Sequence, residues 1–241
     1  NEGYGTIRNY FWNIHDVQPE NRSTNYLGQE VYFEIPKNFN LVGDIEFIFD
    51  LSALVPAGGA TFTRFVDFVG FYVFKSIELN YANTAIQDIL PDQLLSDLRR
   101  KPFITERDAI LENVAGDLSN ADRDVLATAS QELIVRIPFA WTEKSDQYIS
   151  PFVLGDTLKL KVRMADASDI VQTDDNTLAD PVISNLKMRC NIYHLEESEQ
   201  AEIYRKSQIK GCMYLWKQTK FQKFTVPPST GTPSPERGST T

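Results

Sequence analysis

The side chains able to do chemistry are few in this 241-residue chain: two histidines, His15 and His194, and two cysteines, Cys190 and Cys212. His194 shares a period-two register with Cys190 and Ile192, which predicts a hydrogen-bonded side chain on a strand face. A histidine metal site needs further ligands at helical or hairpin spacing, and neither histidine has them. Two cysteines are too few for a disulfide framework and lack metal-ligand spacing. Asp174-Asp175 and Glu196-Glu197 read as solvated turns rather than acid/base couples. Gly58-Gly59 beside Pro56 reads as a loop rather than a phosphate cradle, and Gly43-Asp44 as a tight turn into a strand. No serine sits in a nucleophile elbow. The expectation is a chain without catalytic residues, cofactor or bound metal.

One charge feature departs from the mean. From Arg205 to Lys223 run six basic residues (Arg205, Lys206, Lys210, Lys217, Lys220, Lys223) and no acidic one, interleaved with Tyr204, Tyr214, Trp216, Phe221 and Phe224. That pattern suits contact with an anionic surface, nucleic acid or lipid. It equally suits a connector that packs its aromatics and points its lysines to water, which is the favoured reading because the alternation is only partial. The net charge of -9 and pI near 4.8 argue against a general nucleic-acid binder. Asn21-Arg22-Ser23 matches a glycosylation sequon. With no signal peptide in view and few cysteines, a chance match and a reducing, intracellular setting are expected.

The elements that must position these groups are mostly strands. Aromatic residues make up 12% of the chain, with 15 Phe and 10 Tyr against 3 Met, a balance that suits pleated surfaces. Apolar and polar residues alternate through Val31–Ile35, Ile45–Leu51, Phe71–Leu79, Leu133–Phe139, Leu158–Met164 and Leu186–Ile192, so each segment has one face packed inward. Shorter candidates at Thr84–Ile89 and Tyr148–Val153 bring the count to eight. Helical signals cluster at 91–129: Pro91-Asp92, a capping pattern at Thr105 and Asp108, Gly116 as a stop, and a second cap at Ser119 and Asp122. The fold class expected is all-β: an eight-stranded jelly-roll sandwich with a helical insertion between the fifth and sixth strands. Residues 1–28 are expected to form an extended arm and 29–224 the jelly-roll domain. The Pro/Ser/Thr-rich 225–241 reads as linker or disordered tail.

Three stretches in this order resemble the N-terminal jelly roll of double jelly-roll major capsid proteins of double-stranded DNA viruses, the nucleocytoplasmic large DNA virus, virophage and polinton-like lineage. Residues 40–56 (NLVGDIEFIFDLSALVP) resemble the family's Gly-Asp-led strand ending near Leu-Pro. Residues 69–100 (VGFYVFKSIELNYANTAIQDILPDQLLSDLRR) resemble its long strand, turn, short Ile-centred strand and helix. Residues 137–164 (IPFAWTEKSDQYISPFVLGDTLKLKVRM) resemble its Phe-Trp segment and the strands that follow, and 186–205 add a weaker match. The resemblance implies a structural, non-enzymatic virion protein. With a second jelly roll not visible here, it would form trimeric, pseudo-hexameric capsomers of an icosahedral shell.

The partners so implied are the chain itself, neighbouring capsomers and minor capsid proteins. Phe62, Phe65, Phe68 and Trp141 are then candidates for subunit contacts, with core packing as the plainer role, and the insertion is expected to be dispensable for folding. Three alternatives stay open. A single-roll minor capsid or penton-type protein is one. A carbohydrate-binding jelly roll using Tyr32, Tyr72 and Tyr193 is another. The third, a cupin-type metalloenzyme, is disfavoured by the histidine count.

Overall fold

Alternation becomes ten strands in the computed structural model, which describes residues 10–55, 60–142, 148–174 and 181–211. They are β1 (Tyr10–Val17), β2 (Glu30–Ile35), β3 (Leu41–Leu51), β4 (Thr63–Phe65), β5 (Phe74–Tyr81), β6 (Thr84–Ile89), β7 (Gln131–Ile137), β8 (Leu158–Met164), β9 (Val171–Thr173) and β10 (Ile183–Leu195). Six helices join them: α1 (Val69–Tyr72), α2 (Pro91–Arg99), α3 (Ile104–Val114), α4 (Asn120–Leu126), α5 (Ala167–Ile170) and α6 (Glu197–Lys210). A first sheet has the order β1-β10-β3-β7 and a second the order β2-β8-β5-β6, all antiparallel, while β4 and β9 form a separate ribbon. Consecutive strands of the two larger sheets mostly change sheet, and β5–β6 is the one pair joined within a sheet. This criss-cross between two four-stranded sheets is the jelly roll.

The strands differ from expectation in three places. Tyr10–Val17, assigned from sequence to an arm outside the sandwich, is the edge strand of the first sheet and pairs residue for residue with β10. Residues 11–16 are exposed on both faces, so no alternation marks them. Tyr148–Val153 is not a strand. It makes only the isolated bridge between Ile149 and Val42 and then turns through a short 3-10 helix at Pro151–Val153. Residues 71–73 belong to α1 and its cap rather than to β5. The lysine that interrupts the apolar face of β5 is accommodated by an irregularity between Phe74 and Ser76. Phe74 is buried and Lys75 turns out to pair with Asp166 and Asp169.

Inward-facing side chains of both sheets fill one core. Phe33, Phe47, Phe74 and Phe49 are fully buried and touch in that order across the gap, with successive ring centroids 5.2, 5.5 and 5.8 Å apart. Phe65, Phe139 and Trp141 are buried as well, and Phe62 and Phe68 partly so. Core packing is therefore the role of Phe65, Phe68 and Trp141, while Phe62 lies under the guanidinium of Arg64, 4.3 Å from its ring centre.

Helices α2 to α4 occupy 91–126, between the sixth and seventh strands (β6 and β7) rather than the fifth and sixth, because β1 and β4 are strands that the alternation does not mark. Pro91 sits in the first turn of α2, where its missing N–H costs nothing. Ser119 Oγ accepts from Asp122 N at 3.2 Å and caps α4. Thr105 does not cap α3, which starts at Ile104 after an uncapped Phe103. The stop comes at Ala115 in the left-handed region, with Gly116 N donating to Leu111 O at 2.9 Å.

The insertion is not a removable decoration. Leu94, Leu98, Val114 and Ala127 join the central core, and Leu54 N donates to Ala127 O at 2.8 Å. Gly70 in α1 lies so close to α3 that a Cβ would stand 2.8 Å from Val114 Cα. Deleting 91–129 is accordingly expected to abolish the cooperative melt. Gly70→Ala is expected to cost about 1–3 kcal/mol through overpacking, read as a lower urea midpoint at unchanged slope.

Candidate assembly surface

The outward faces of the two sheets carry different chemistry. On the second sheet, alternation places Glu30, Tyr32 and Glu34 beside Lys159, Lys161 and Arg163. Lys161 and Arg163 each lie 3.0 Å from Glu30, and Lys159 reaches Glu20 and Glu34 at 3.4 Å. The hydrogen bond from Lys161, joined by one from Tyr32, holds the Glu30 carboxyl below its ordinary range. Hydrogen bonds to Glu20 and Glu34 raise Lys159. Exposed pairs of this kind contribute little to stability, but they make the face strongly hydrated.

The first sheet's outer face is less polar. Trp12 and Ile14 of β1 are 61% and 46% exposed, and Trp12 lies opposite Tyr193 of β10. Tyr193 stacks on Tyr148 at 4.8 Å with the two hydroxyls 3.3 Å apart. Gly43 of β3 makes the stack possible, because a Cβ there would stand 3.0 Å from Tyr193 and 3.1 Å from Tyr148. The carbonyl of Gly43 accepts from Trp141 Nε1 at 3.1 Å. Burial, with the Tyr193 hydrogen bond, pushes the Tyr148 hydroxyl well above its usual pKa. Beyond this patch lies an ion-pair group, Asp16 with Lys187 at 2.9 Å and Arg189 at 3.1 Å. Partial burial pulls the Asp16 carboxyl upward, and the hydrogen bonds from Lys187 and Arg189 outweigh it.

Of the groups singled out in the sequence, His15 of β1 lies opposite Cys190 of β10, and His194 lies four residues further along β10. His194 stacks on Phe11, with ring centroids 4.5 Å apart, and His15 meets Phe39 edge-on at 5.1 Å. Cys190 is buried, which pushes its thiol up to about 12; Cys212 lies outside the described residues. No group of three or more His, Cys, Asp or Glu among the described residues could hold a metal ion, and no helix there is long and apolar enough to cross a membrane.

Asp174 fastens the segment before β4 by accepting from the backbone N–H of Thr61 and of Phe62; Asp175 lies outside the described residues. Glu196 and Glu197 sit at the N-terminus of α6, where the helix dipole favours them. Asn21 of the sequon uses both amide atoms on the backbone of β2, donating to Glu30 O at 2.6 Å and accepting from Tyr32 N at 3.1 Å. Arg205, Lys206 and Lys210 lie on the second half of α6, with Lys206 2.8 Å from Glu202. Lys217, Lys220 and Lys223 lie outside the described residues.

The three tyrosines considered for sugar binding form no common platform. Tyr32 is on the second sheet, Tyr72 on α1 donating to Asp92 at 3.2 Å, and Tyr193 on the first sheet. What sequence reasoning missed is the exposed apolar surface itself: Phe11 at 65% and Trp12 on β1, and Phe103 and Ile104 at the α2–α3 corner. The aromatic cluster Tyr10, Phe11, Trp12 in a polar stretch was the available signal.

No family model and no curated protein matches the chain. Solved structures do. PBCV-1 VP54, fitted into a cryo-EM reconstruction of the virophage Sputnik, aligns with a TM-score of 0.65 at 16% identity, over 82% of this chain and 45% of that one. The quasi-atomic model of the PBCV-1 virus capsid gives 0.62 at 16%, over 81% and 45%. The Faustovirus major capsid protein gives 0.61 at 11%, over 86% and 58%. The chain thus spans about half the length of the structures it matches. At these identities the likeness is one of fold: the chain has the jelly roll of viral major capsid proteins.

Asp16 yields a pH prediction. Its folded pKa lies below the unfolded value near 3.9, so its ion pairs stabilise in full above that value. Their contribution is lost as pH falls through the folded value. Because the side chain is one-third exposed, solvent screening limits Asp16→Asn to a cost of up to about 1 kcal/mol at pH 7. Urea unfolding across a pH series should show the gap from the parent chain constant down to about pH 5 and closing below about pH 4.

Proposed function

We propose that the chain is a structural building block of an icosahedral viral shell, acting by burying surface against other subunits rather than by turning over a substrate. The observation that supports this most is the two-sheet jelly roll, aligning over 82% of its length with a capsid protein at a TM-score of 0.65. The finer reading is a trimeric, pseudo-hexameric capsomer in which each subunit adds a second jelly roll to the one described, assembled in the host cell and residing in the virion. The matched structures' greater length supports it. Permanent interfaces of such assemblies run to about 2,000 Å² or more, and the exposed Trp12 and Ile14 at the β1 edge of the first sheet offer apolar surface to such a contact. Arg205 and Lys210, exposed on α6, support a contact with an anionic surface on the same particle.

The sugar-binding reading loses its ground because its three tyrosines point from separate elements. The shell reading is tested on the polypeptide purified from particles in its native source. A denaturing mass near twice 27.4 kDa or more, with light scattering giving three such chains per particle subunit, is the expected result. A strict monomer of single-roll mass overturns the double-roll capsomer.

A further inference from the structure

Two open sheets have four edge strands, and three of them are protected against pairing with another chain. The free side of β2 is covered by its own chain: Asn21 bonds Glu30 O and Tyr32 N, and Glu20 N donates to Tyr32 O at 2.8 Å. β6 is irregular in its pairing with β5, between Leu79 and Asn80, and carries Asp88. β7 has α3 packed against it and carries Glu132 and Arg136.

Among the described residues β1 is less protected, with only its Ile14 N–H taken, by the side chain of Asn13. It pairs with β10 over all eight residues without a shift and contains no lysine or proline. Its one acid, Asp16, is neutralised within the sheet by Lys187 and Arg189. Two such edges therefore meet without charge repulsion, whereas two β2 edges would oppose Glu30 and Glu34. A long, regular, uncharged edge rich in apolar residues is the kind that pairs.

The backbone fixes which groups face the open edge, and Asn13 must release Ile14 N–H for a new ladder to form. Ile14 N–H is held by the Asn13 side chain, Oδ1 accepting at 2.8 Å, so it points away from β10. In an antiparallel ladder such groups alternate, which places the N–H and C=O of Trp12 and Ile14 on the open edge.

We propose that β1 pairs antiparallel with β1 of a second copy of this chain, about a twofold axis through Asn13, joining two first sheets into one. In this register Trp12 lies opposite Ile14 of the second copy on the outer face, and Phe11 opposite His15 on the other. Aromatic against β-branched and aromatic against aromatic are favourable cross-strand pairs. Tyr10 meets Asp16, so the two acids do not oppose each other. Moving the axis to Ile14 would set Trp12 against Asp16 and lose both pairings. Aromatic side chains bury about 150–250 Å² each. With the strand atoms, two copies remove roughly 1,000 Å², the lower end for a specific contact, so the dimer is concentration-dependent. This inference does not rest on the shell reading; the edge pairs in solution whatever larger assembly the chain enters.

The test uses the 241-residue chain. Sedimentation across a concentration series should show the mass rising from 27.4 kDa toward twice that value. Ile14→Lys should hold it at the monomer while its thermal melt stays cooperative. Asn13 is a non-hydrogen-bonded position of the proposed ladder, with Cα atoms about 4.5 Å apart, within disulfide range. In a Cys212→Ser background, Asn13→Cys should therefore give a covalent dimer on mild oxidation, and Glu132→Cys on β7 should not. A mass constant at the monomer, an Ile14→Lys chain that dimerises like the parent, or Asn13→Cys cross-linking no better than Glu132→Cys overturns the proposal.

Discussion

The distance between the two sheets is set by four phenylalanines. Phe47 and Phe49 hang from β3 in the first sheet, Phe33 and Phe74 rise from β2 and β5 in the second, and each ring touches the next. All four are fully buried. Close packing leaves such a column no slack, so every strand that flanks it has its register fixed by which residue must face it. Slipping β3 by one residue would send Glu46 and Asp50 into the core and Phe47 and Phe49 to water. The irregularity at Phe74 follows from the same demand, since the strand deforms rather than bury Lys75.

That column also explains how much could be read from the sequence. Strands that share its core, β2, β3, β7, β8 and β10, announce themselves by alternation because one face is dry and the other wet, while β5, which carries Phe74, is interrupted at Lys75. β1 touches it hardly at all. Both of its faces are exposed, its pattern is aperiodic, and its place in the sheet is decided by pairing with residues far away in the chain. Residues 148–153 mislead for the opposite reason: Ile149 and Pro151 are buried, yet the run turns too sharply to form a ladder. Tertiary context overrode local pattern in both cases.

The surface was less legible than the core. Phe65 and Trp141 look, as residue types, like good contact residues and prove to be interior ones, while the exposed aromatics sit in a stretch with no period to reveal them. The helical insertion misled through its position: lying between strands, it reads as an addition, but Val114 against Gly70 and Ala127 against Leu54 make it a wall of the core. Its amphipathic spacing at Leu94 and Leu98 was visible; which surface those leucines would cover was not.

The pairing of β1 with β10 has a consequence in time. More than 160 residues separate the two strands, and β10 supplies β1's ladder bonds. At a synthesis rate of about 5–20 residues per second, roughly ten to thirty seconds pass between the emergence of the first strand and that of its mate. During that interval Phe11, Trp12 and Ile14 travel on an unpaired ribbon. A nascent chain of this fold therefore presents its stickiest edge first and secures it last, and crowded ribosomes making neighbouring copies hold those ribbons within reach of one another.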